Sequence, residues 1–250
     1  MENMVIMPAK DYKDTCEKIR ELTNSSDLIK SGDLVNKINE VSKVEYDNFW
    51  NNYLKDSINE DWRYRFAGPA WDDITFNPKQ DLILKGNTTN AFYYSNISNL
   101  KGILEQNGIT LDTSQITNGN SLFHYSKIQN FPLIDLSNCT TVTNTFGYMS
   151  GGDITLSLKL KDDGSQNLDK LFYGAKGFVN LEIEGTIGYS GFSVQWSTNL
   201  TVESLINIMN ALKDYSEDGG TYDLVLGTTN LNKLSEEQKD IARNKGWTLS

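Results

Sequence analysis

The sequence predicts an α+β fold, in which short N-terminal helices precede a solenoid of stacked β repeats that ends in a helical C-terminal cap. Two observations carry this prediction. Phenylalanine recurs at intervals of 23 to 31 residues through the middle of the chain, and patterns with helical periodicity lie on both sides. The predicted parts are an N-terminal helical segment (1–60), an aromatic junction (61–86), the repeats (87–198) and the C-terminal cap (199–250).

The composition excludes several classes of partner. The 250 residues carry a net charge of −10 with a pI of about 4.7, so the chain is repelled by nucleic-acid phosphates and by anionic membrane surfaces. No apolar run is long enough to span a bilayer. The sequence therefore predicts neither a nucleic-acid nor a membrane partner.

The first 60 residues carry three short patterns of helical spacing. Each has apolar side chains three or four residues apart on one face, and each is too short to be stable alone. The apolar positions are Tyr12, Cys16, Ile19 and Leu22; then Leu34, Ile38 and Val41; then Tyr46, Phe49, Trp50, Tyr53 and Leu54.

An aromatic-rich junction follows. Trp62, Tyr64 and Phe66 alternate with two arginines, which predicts a strand. Two interpretations of these aromatics remain open here, a stacking platform for sugars or a packed connection between the helices and the repeats.

The repeats are marked by Phe92, Phe123, Phe146 and Phe172. Short segments in which Leu or Ile alternates with polar residues lie between them, as in "PLIDL", "ITLSLKL" and "NLEIEG". A period in the twenties with alternating aliphatic residues is typical of a leucine-rich-repeat-like solenoid, in which each repeat buries its apolar side chains against its neighbours.

The C-terminal part returns to helical spacing. "LTVESLINIMNALKD" predicts a helix with Thr201 as N-cap, and "LSEEQKDIARNKGW" predicts another with a capping box of Ser235 and Gln238 that ends near Gly246. "TYDLVLG" and "WTLS" predict strands. A solenoid needs an atypical end to cover its last apolar layer, which this segment could supply.

The copy of the repeat at 121–146 resembles the repeat of BspA-like leucine-rich bacterial surface proteins. In that family a Phe precedes a polar turn, an aliphatic pattern with Pro and Ser-Asn, and the next Phe. The resemblance covers roughly 87–185, and the matching residues are Phe123, Ile128, Phe131, Pro132, Ile134, Leu136, Ser137, Asn138 and Phe146.

The N-terminal "MPAKDYKDTCEKIRELTNSSDLIKSGDLVNKINEV", with the aromatic segment after it, is similar to the start of many virion proteins of phages of Firmicutes. This resemblance implies a phage tail or baseplate protein whose N-terminal helices attach to other virion proteins. Its repeats would bind a host cell-surface glycan or protein. Phage fibres are usually oligomeric, so it also implies self-association.

Two alternatives to a tail protein remain open. One is a capsid decoration or head-fibre protein, and the other is a leucine-rich adhesin of the bacterial cell surface. The sequence carries no secretory signal. This favours release in a virion over secretion to a cell surface.

Signs of catalysis are weak. His124 is the single histidine and has no ligand-spaced partners, and "GYMSGGD" lacks the Lys-Ser/Thr of a phosphate loop. Aspartates such as Asp135, Asp153 and Asp163 lie where turns are expected, and their spacing does not indicate a glycosidase pair. We therefore expect no enzyme activity, no cofactor and no metal.

The candidate binding residues follow from the repeat. Tyr94, Tyr125 and Tyr148 lie two residues after a repeat Phe, so stacked repeats would align them into an aromatic ladder. An alternative interpretation makes half of these residues core. The residues one position after the Phe join the candidate surface: Tyr93, His124 and Tyr173.

Overall fold

The computed structural model describes residues 62–250, and the three predicted helices of residues 1–60 lie outside them. The described chain alternates short strands and helices. In chain order they are β1 (Leu82–Asn87), α1 (Leu100–Asn107), β2 (Leu111–Asn118), β3 (Ile134–Asp135), β4 (Ile154–Lys159), β5 (Phe178–Glu184), β6 (Phe192–Ser193), α2 (Val202–Asn210), β7 (Tyr222–Val225), α3 (Thr228–Leu231), α4 (Glu236–Arg243) and β8 (Trp247–Leu249).

The strands pair in parallel within three separate sheets. These are β1–β2, β3–β4–β5 and β6–β7–β8. The predicted leucine-rich-repeat-like β solenoid is therefore wrong, because no single sheet runs through the described residues. The strands predicted from "TYDLVLG" and "WTLS" are confirmed as β7 and β8. β7 pairs with β6 across the boundary expected at residue 198, and β8 pairs with β7.

Side chains take the place of strand pairing where the sheets are interrupted. The backbone N–H of Leu181 in β5 donates to Ser204 Oγ at 3.0 Å, and that of Ile183 donates to Asn207 Oδ1 at 2.7 Å. Both acceptors belong to α2. The helix lies where the next strand of a continuous sheet would pair, and it satisfies the edge of β5 through its side chains.

The central sheet follows the predicted alternation. Ile154, Leu156 and Leu158 of β4 are buried, and the residues between them are exposed or half-buried. Leu156 pairs with Leu181, and Leu158 pairs with Ile183, so successive strands place aliphatic side chains side by side in the core. The strands predicted from "PLIDL", "ITLSLKL" and "NLEIEG" are confirmed as β3, β4 and β5.

A column of phenylalanine rings forms the other half of the core. Its members are fully or almost fully buried, and neighbouring ring centroids are 5.3–5.6 Å apart. The recurrence of Phe along the sequence thus marks a physical stack. In order the rings are Phe66, Phe92, Phe123, Phe146 and Phe172.

The strand predicted at the aromatic junction is wrong. Residues 63–66 form a turn, in which Tyr64 has a left-handed backbone with φ of 57° and Gly68 follows with φ of 100°. Left-handed residues cannot continue an extended strand. The alternation of aromatic and charged residues here reflects the turn, in which the Phe66 side chain enters the core and Tyr64 stays exposed.

The predicted caps are confirmed. Thr201 accepts from the backbone N–H of Ser204 at 3.2 Å at the start of α2. Ser235 and Gln238 form the reciprocal capping box of α4, with bonds of 3.3 and 2.9 Å. Over residues 62–250, no helix combines the length and apolar character needed to cross a membrane.

Candidate functional site

Five turns of the same backbone shape position the candidate site. We call the five-residue segments centred on the stacked phenylalanines the aromatic turns. The first and fifth residue of each has a left-handed backbone, with φ between 53° and 100°. The turns read YRFAG (64–68), NAFYY (90–94), SLFHY (121–125), NTFGY (144–148) and KLFYG (170–174).

Backbone hydrogen bonds join each aromatic turn to the next. The N–H groups of Asn90, Phe92 and Tyr94 donate to carbonyls of residues 120, 122 and 124 at 2.8–3.2 Å. The turns at Phe66 and Phe123 bond forward in the same way, and the turn at Phe146 through its third and fifth residues. Residues at one position of the turn are therefore held above one another.

This stacking aligns exposed rings into what we call the aromatic row. Successive ring centroids are separated by 6.3, 4.9, 5.4 and 6.3 Å. Between 38% and 53% of each residue is exposed, so the row lies on the surface. Its members in order are Tyr94, Tyr125, Tyr148, Tyr173 and Trp196.

Tyr93 and His124 lie beside the aromatic row. Their ring centroids are 5.6 Å apart, and the His124 ring is 4.5 Å from Tyr125 and 5.6 Å from Tyr148. Both side chains are half-buried. The structure thus brings the six sequence-predicted site residues together, and it buries none of them completely.

Glycine makes room for two of these rings. A Cβ on Gly147 would lie 2.9 Å from His124 Cδ2, and one on Gly174 would lie 2.8 Å from Tyr148 Cδ1. Real Cβ atoms do not approach carbon this closely without displacement. His124 and Tyr148 therefore rest on the backbone of the following turn, which fixes how far they extend from the surface.

Two ionisable side chains at the aromatic row, His124 and Tyr148, favour their neutral forms. Burial lowers the pKa of the His124 imidazole, whose Nε2 has no hydrogen-bond partner among residues 62–250. Desolvation among the rings raises the pKa of the Tyr148 phenol. His124 and Tyr148 therefore present uncharged rings to the surface at neutral pH.

Sequence reasoning missed two parts of this surface. Trp196 joins the row without following a repeat Phe, so no spacing marked it. Phe66 begins the stack, and Tyr64 is exposed at its turn. The likeness of "YRFAG" to "KLFYG", with Phe two residues before Gly, could have identified this first turn.

A surface depression, lined by other residues than the aromatic row, lies between β4, β5 and the start of α2. It has a volume of about 280 Å³ and is open on one side. Its lining contains no aromatic ring and combines polar side chains with Leu156 and Leu181. The side chains around it include Thr155, Ser157, Asn180, Glu182, Glu203 and Asn207.

The other residues considered for catalysis or metal binding are held in hydrogen bonds, an ion pair or the core. Asp135 accepts from Ser137 at 2.6 Å and pairs with Lys159, and Asp163 accepts from the backbone of Ser165 at 2.8 Å. Cys139 is buried, and burial raises its thiol pKa to about 12. Within residues 62–250, no group of three His, Cys, Asp or Glu side chains is placed to hold a metal ion.

No known protein family, curated protein or solved structure matches this chain.

Proposed function

We propose that this chain is a non-enzymatic structural protein of a bacteriophage virion, placed in the tail or baseplate, with the aromatic row as its recognition surface. The observation that carries the proposal is the continuous contact of five exposed rings from Tyr94 to Trp196. The resemblance of the sequence to phage virion proteins supports the virion location, and the aromatic row supports the recognition role.

The row has the physical properties of a recognition surface. Exposed aromatic side chains in a contiguous set mark interaction sites on proteins. Their rings touch one another and rest on hydrogen-bonded turns, so few rotamers remain to be immobilised when a partner arrives. Tyrosine adds a hydroxyl at the tip of an apolar ring, which contributes specificity along with contact area.

In this proposal the two ends of the chain have different partners. Residues 1–60 attach the chain to other virion proteins, and the aromatic row faces a glycan or protein of the host cell surface. No cofactor or metal takes part, and several copies assemble in each particle.

Immunogold electron microscopy of phage particles tests this proposal. Antibody raised against the full chain is applied to particles released from cells that encode it, with particles from a deletion strain as the control. Gold at the tail tip or baseplate is the expected result. Gold over the heads would contradict the tail or baseplate role and indicate a capsid decoration protein. Label on intact cells with none on particles would indicate a surface adhesin.

A further inference from the structure

We propose that the aromatic row binds an acidic protein on the host cell surface. This inference rests on the proposed function, because it names the partner of the same surface. Four features of the row carry it: the use of its ring faces, its composition, its flanking charges and its polar tips.

At the centre of the row, Tyr125 and Tyr148 each use one ring face on the other. Tyr125 and Tyr148 stack on each other with centroids 4.9 Å apart and planes 12° from parallel, and His124 lies 4.5 Å from Tyr125. A sugar ring or a nucleic-acid base binds aromatic side chains by covering a free face. In the centre of this row a partner meets ring edges and hydroxyls, which suits the irregular surface of a protein better than a flat ring.

The composition of the turns is that of a protein-binding loop. Antibody binding loops are rich in Tyr, Ser, Gly and Asn, with Trp at energetically important positions. The segments "TNAFYYSN", "NSLFHYSK" and "TNTFGYMS" place Tyr, Asn and Ser around each buried Phe, and Trp196 ends the row. Backbone hydrogen bonds join the turns to one another, so this adaptable set of side chains is presented on a hydrogen-bonded frame.

The charges beside the row indicate an acidic partner. The four turns and flanking residues at 89–96, 120–127, 143–150 and 169–176 contain Lys127, Lys170 and Lys176 but only one acidic residue, Asp169, in a chain with 33 acidic and 23 basic residues. Lys127 and Lys176 are exposed. Lys170 pairs with Asp169 at 3.9 Å, so the excess positive charge next to the turns comes from Lys127 and Lys176. On an otherwise acidic protein, such a local excess steers acidic surfaces toward it.

The polar tips favour a partner that is met reversibly. Every exposed ring in the row ends in a hydroxyl or an indole N–H, and no aliphatic side chain is exposed between them. Permanent interfaces are more apolar, whereas reversible ones combine aromatic centres with polar, hydrated borders. A host protein, which the particle meets only on adsorption, fits this pattern better than a permanent neighbour in the virion.

The test measures binding of the fluorescently labelled full chain to susceptible host cells. One portion of cells is treated with protease and washed, a second is treated with periodate to oxidise glycans, and a third is untreated. We expect protease to abolish binding and periodate to leave it intact. Loss with periodate alone would overturn the proposal in favour of a glycan, and no binding to untreated cells would overturn it in favour of a virion partner.

Substitutions connect the binding to the row. Tyr125→Ala and Tyr148→Ala should each raise the apparent Kd at least about tenfold, as expected for central interface aromatics. Leu133→Ala, at a residue 46% exposed outside the row, is the matched control and should change it less than about twofold. Equal effects of row and control variants would contradict the assignment.

Charge reversal provides a second test that removes no ring. Lys127→Glu and Lys176→Glu should weaken binding, and salt should weaken binding of the unmodified chain, because both reduce attraction to acidic groups. Lys101→Glu, at an exposed lysine of α1, is the control. Tighter binding of the Lys127→Glu chain would show that the partner is not acidic.

The binding assay and the immunogold experiment test the two proposals independently, so one proposal can be rejected while the other is kept. Protease-sensitive binding through the row together with unlabelled particles would reject the virion role and keep the surface assignment. Labelled tail tips together with periodate-sensitive binding would keep the virion role and reject the protein partner.

Discussion

Tyr94, Tyr125 and Tyr148 hold a backbone conformation that glycine adopts more easily. Their φ angles lie between 53° and 59°, and the equivalent position is glycine at 68 and 174. A left-handed conformation costs a residue with a Cβ about 1–2 kcal/mol. The forward hydrogen bonds and ring contacts of the turn offset this cost. Retention of tyrosine at three consecutive turns is consistent with use of its side chain at the surface.

Lys170 has the same kind of backbone, with φ of 55°, at an exposed position. Lys170→Gly should raise the free energy of unfolding by about 0.5–1 kcal/mol, because relief of the left-handed conformation exceeds the added entropy of the unfolded chain. Lys176→Gly, at an exposed lysine without a positive φ, should lower it by a similar amount. Urea unfolding of both variants checks this, and a loss in both would contradict the strain at Lys170.

His124 should make stability depend on pH in a range where carboxylates do not titrate. Burial lowers its folded-state pKa below the value of about 6.5 in the unfolded chain. The unfolded state therefore takes up the proton first, so this contribution to stability is complete above about pH 6.5 and declines as the pH falls below it. His124→Phe should reduce the change in Tm between pH 7 and pH 5. An unchanged dependence of Tm on pH would show that His124 does not cause it.

At the scale of the elements, the sequence predicted much of the local structure. The strands β3, β4 and β5 and the caps at Thr201 and Ser235 were predictable because alternation and capping are local properties of a few neighbouring residues. The continuity of the sheet was not predictable from the sequence. It depends on whether the edge of β5 pairs with a strand or with the side chains of Ser204 and Asn207, and this is decided by tertiary packing.

The backbone shape of the aromatic turns could not be predicted from any one turn alone. Alternating aromatic and charged residues at 62–66 have the period of a strand, and nothing in a single Tyr or Arg indicates a left-handed backbone. Only comparison of all five turns, with Gly and Tyr exchanging at the last position, would have shown that one backbone shape recurs.

The end of α2 is held by a lysine from the last segment of the chain. Lys245 Nζ donates to the carbonyls of Met209, Asn210 and Leu212 at 3.3, 2.6 and 3.0 Å. Lys245→Met should lower the free energy of unfolding by about 1.5–3 kcal/mol, because hydrogen bonds from a charged donor are lost to partly buried carbonyls. Lys239→Met, which removes one ion pair with the exposed Glu236 carboxylate, should change it by less than about 1 kcal/mol. Equal losses in denaturant titrations would argue against this capping role.

Two glycines with nearly the same φ separate backbone strain from close packing. Gly185 has φ of 89°, and a Cβ there would lie 2.4 Å from the Leu160 carbonyl oxygen; Gly191 has φ of 86° and no atom within 4 Å of such a Cβ. Gly191→Ala should cost about 1–2 kcal/mol from conformation alone. Gly185→Ala should cost about 1–3 kcal/mol more, because β5 must move away from the turn after β4. Equal Tm values for Gly185→Ala and Gly191→Ala would indicate that the backbone at Leu160 moves aside at little energetic cost.

At the scale of the whole molecule, the phenylalanine stack connects most of the described chain. Phe146 is fully buried and lies 5.6 Å from Phe123 and 5.4 Å from Phe172. Phe146→Ala should lower the free energy of unfolding by about 3–5 kcal/mol, since it leaves a cavity at the centre of the stack. Leu133→Ala at the surface should change it by about 0.5 kcal/mol or less. Urea unfolding measures both, and a loss below about 1 kcal/mol at Phe146 would mean that the stack closes over the gap.

The repeat explains why the candidate site was more predictable than the sheets. A fixed offset from a buried Phe places a side chain in one column whether or not the strands elsewhere pair, so Tyr94, Tyr125 and Tyr148 came together as expected. Trp196 lacks that offset. It reaches the row because the chain turns back beside Tyr173 after β6, which no local pattern records.

The interchange of tyrosine and glycine at the last position of the aromatic turn has a consequence for how such a surface can evolve. Because both residues fit one backbone shape, a tyrosine-to-glycine substitution deletes a ring, and a substitution at Gly68, where a Cβ would meet no atom within 4 Å, adds one without moving a neighbour. The number of rings in the contact surface is thereby separated from the packing of the phenylalanine stack. A lineage under pressure to follow a changing partner could alter its reach one ring at a time and keep the same core.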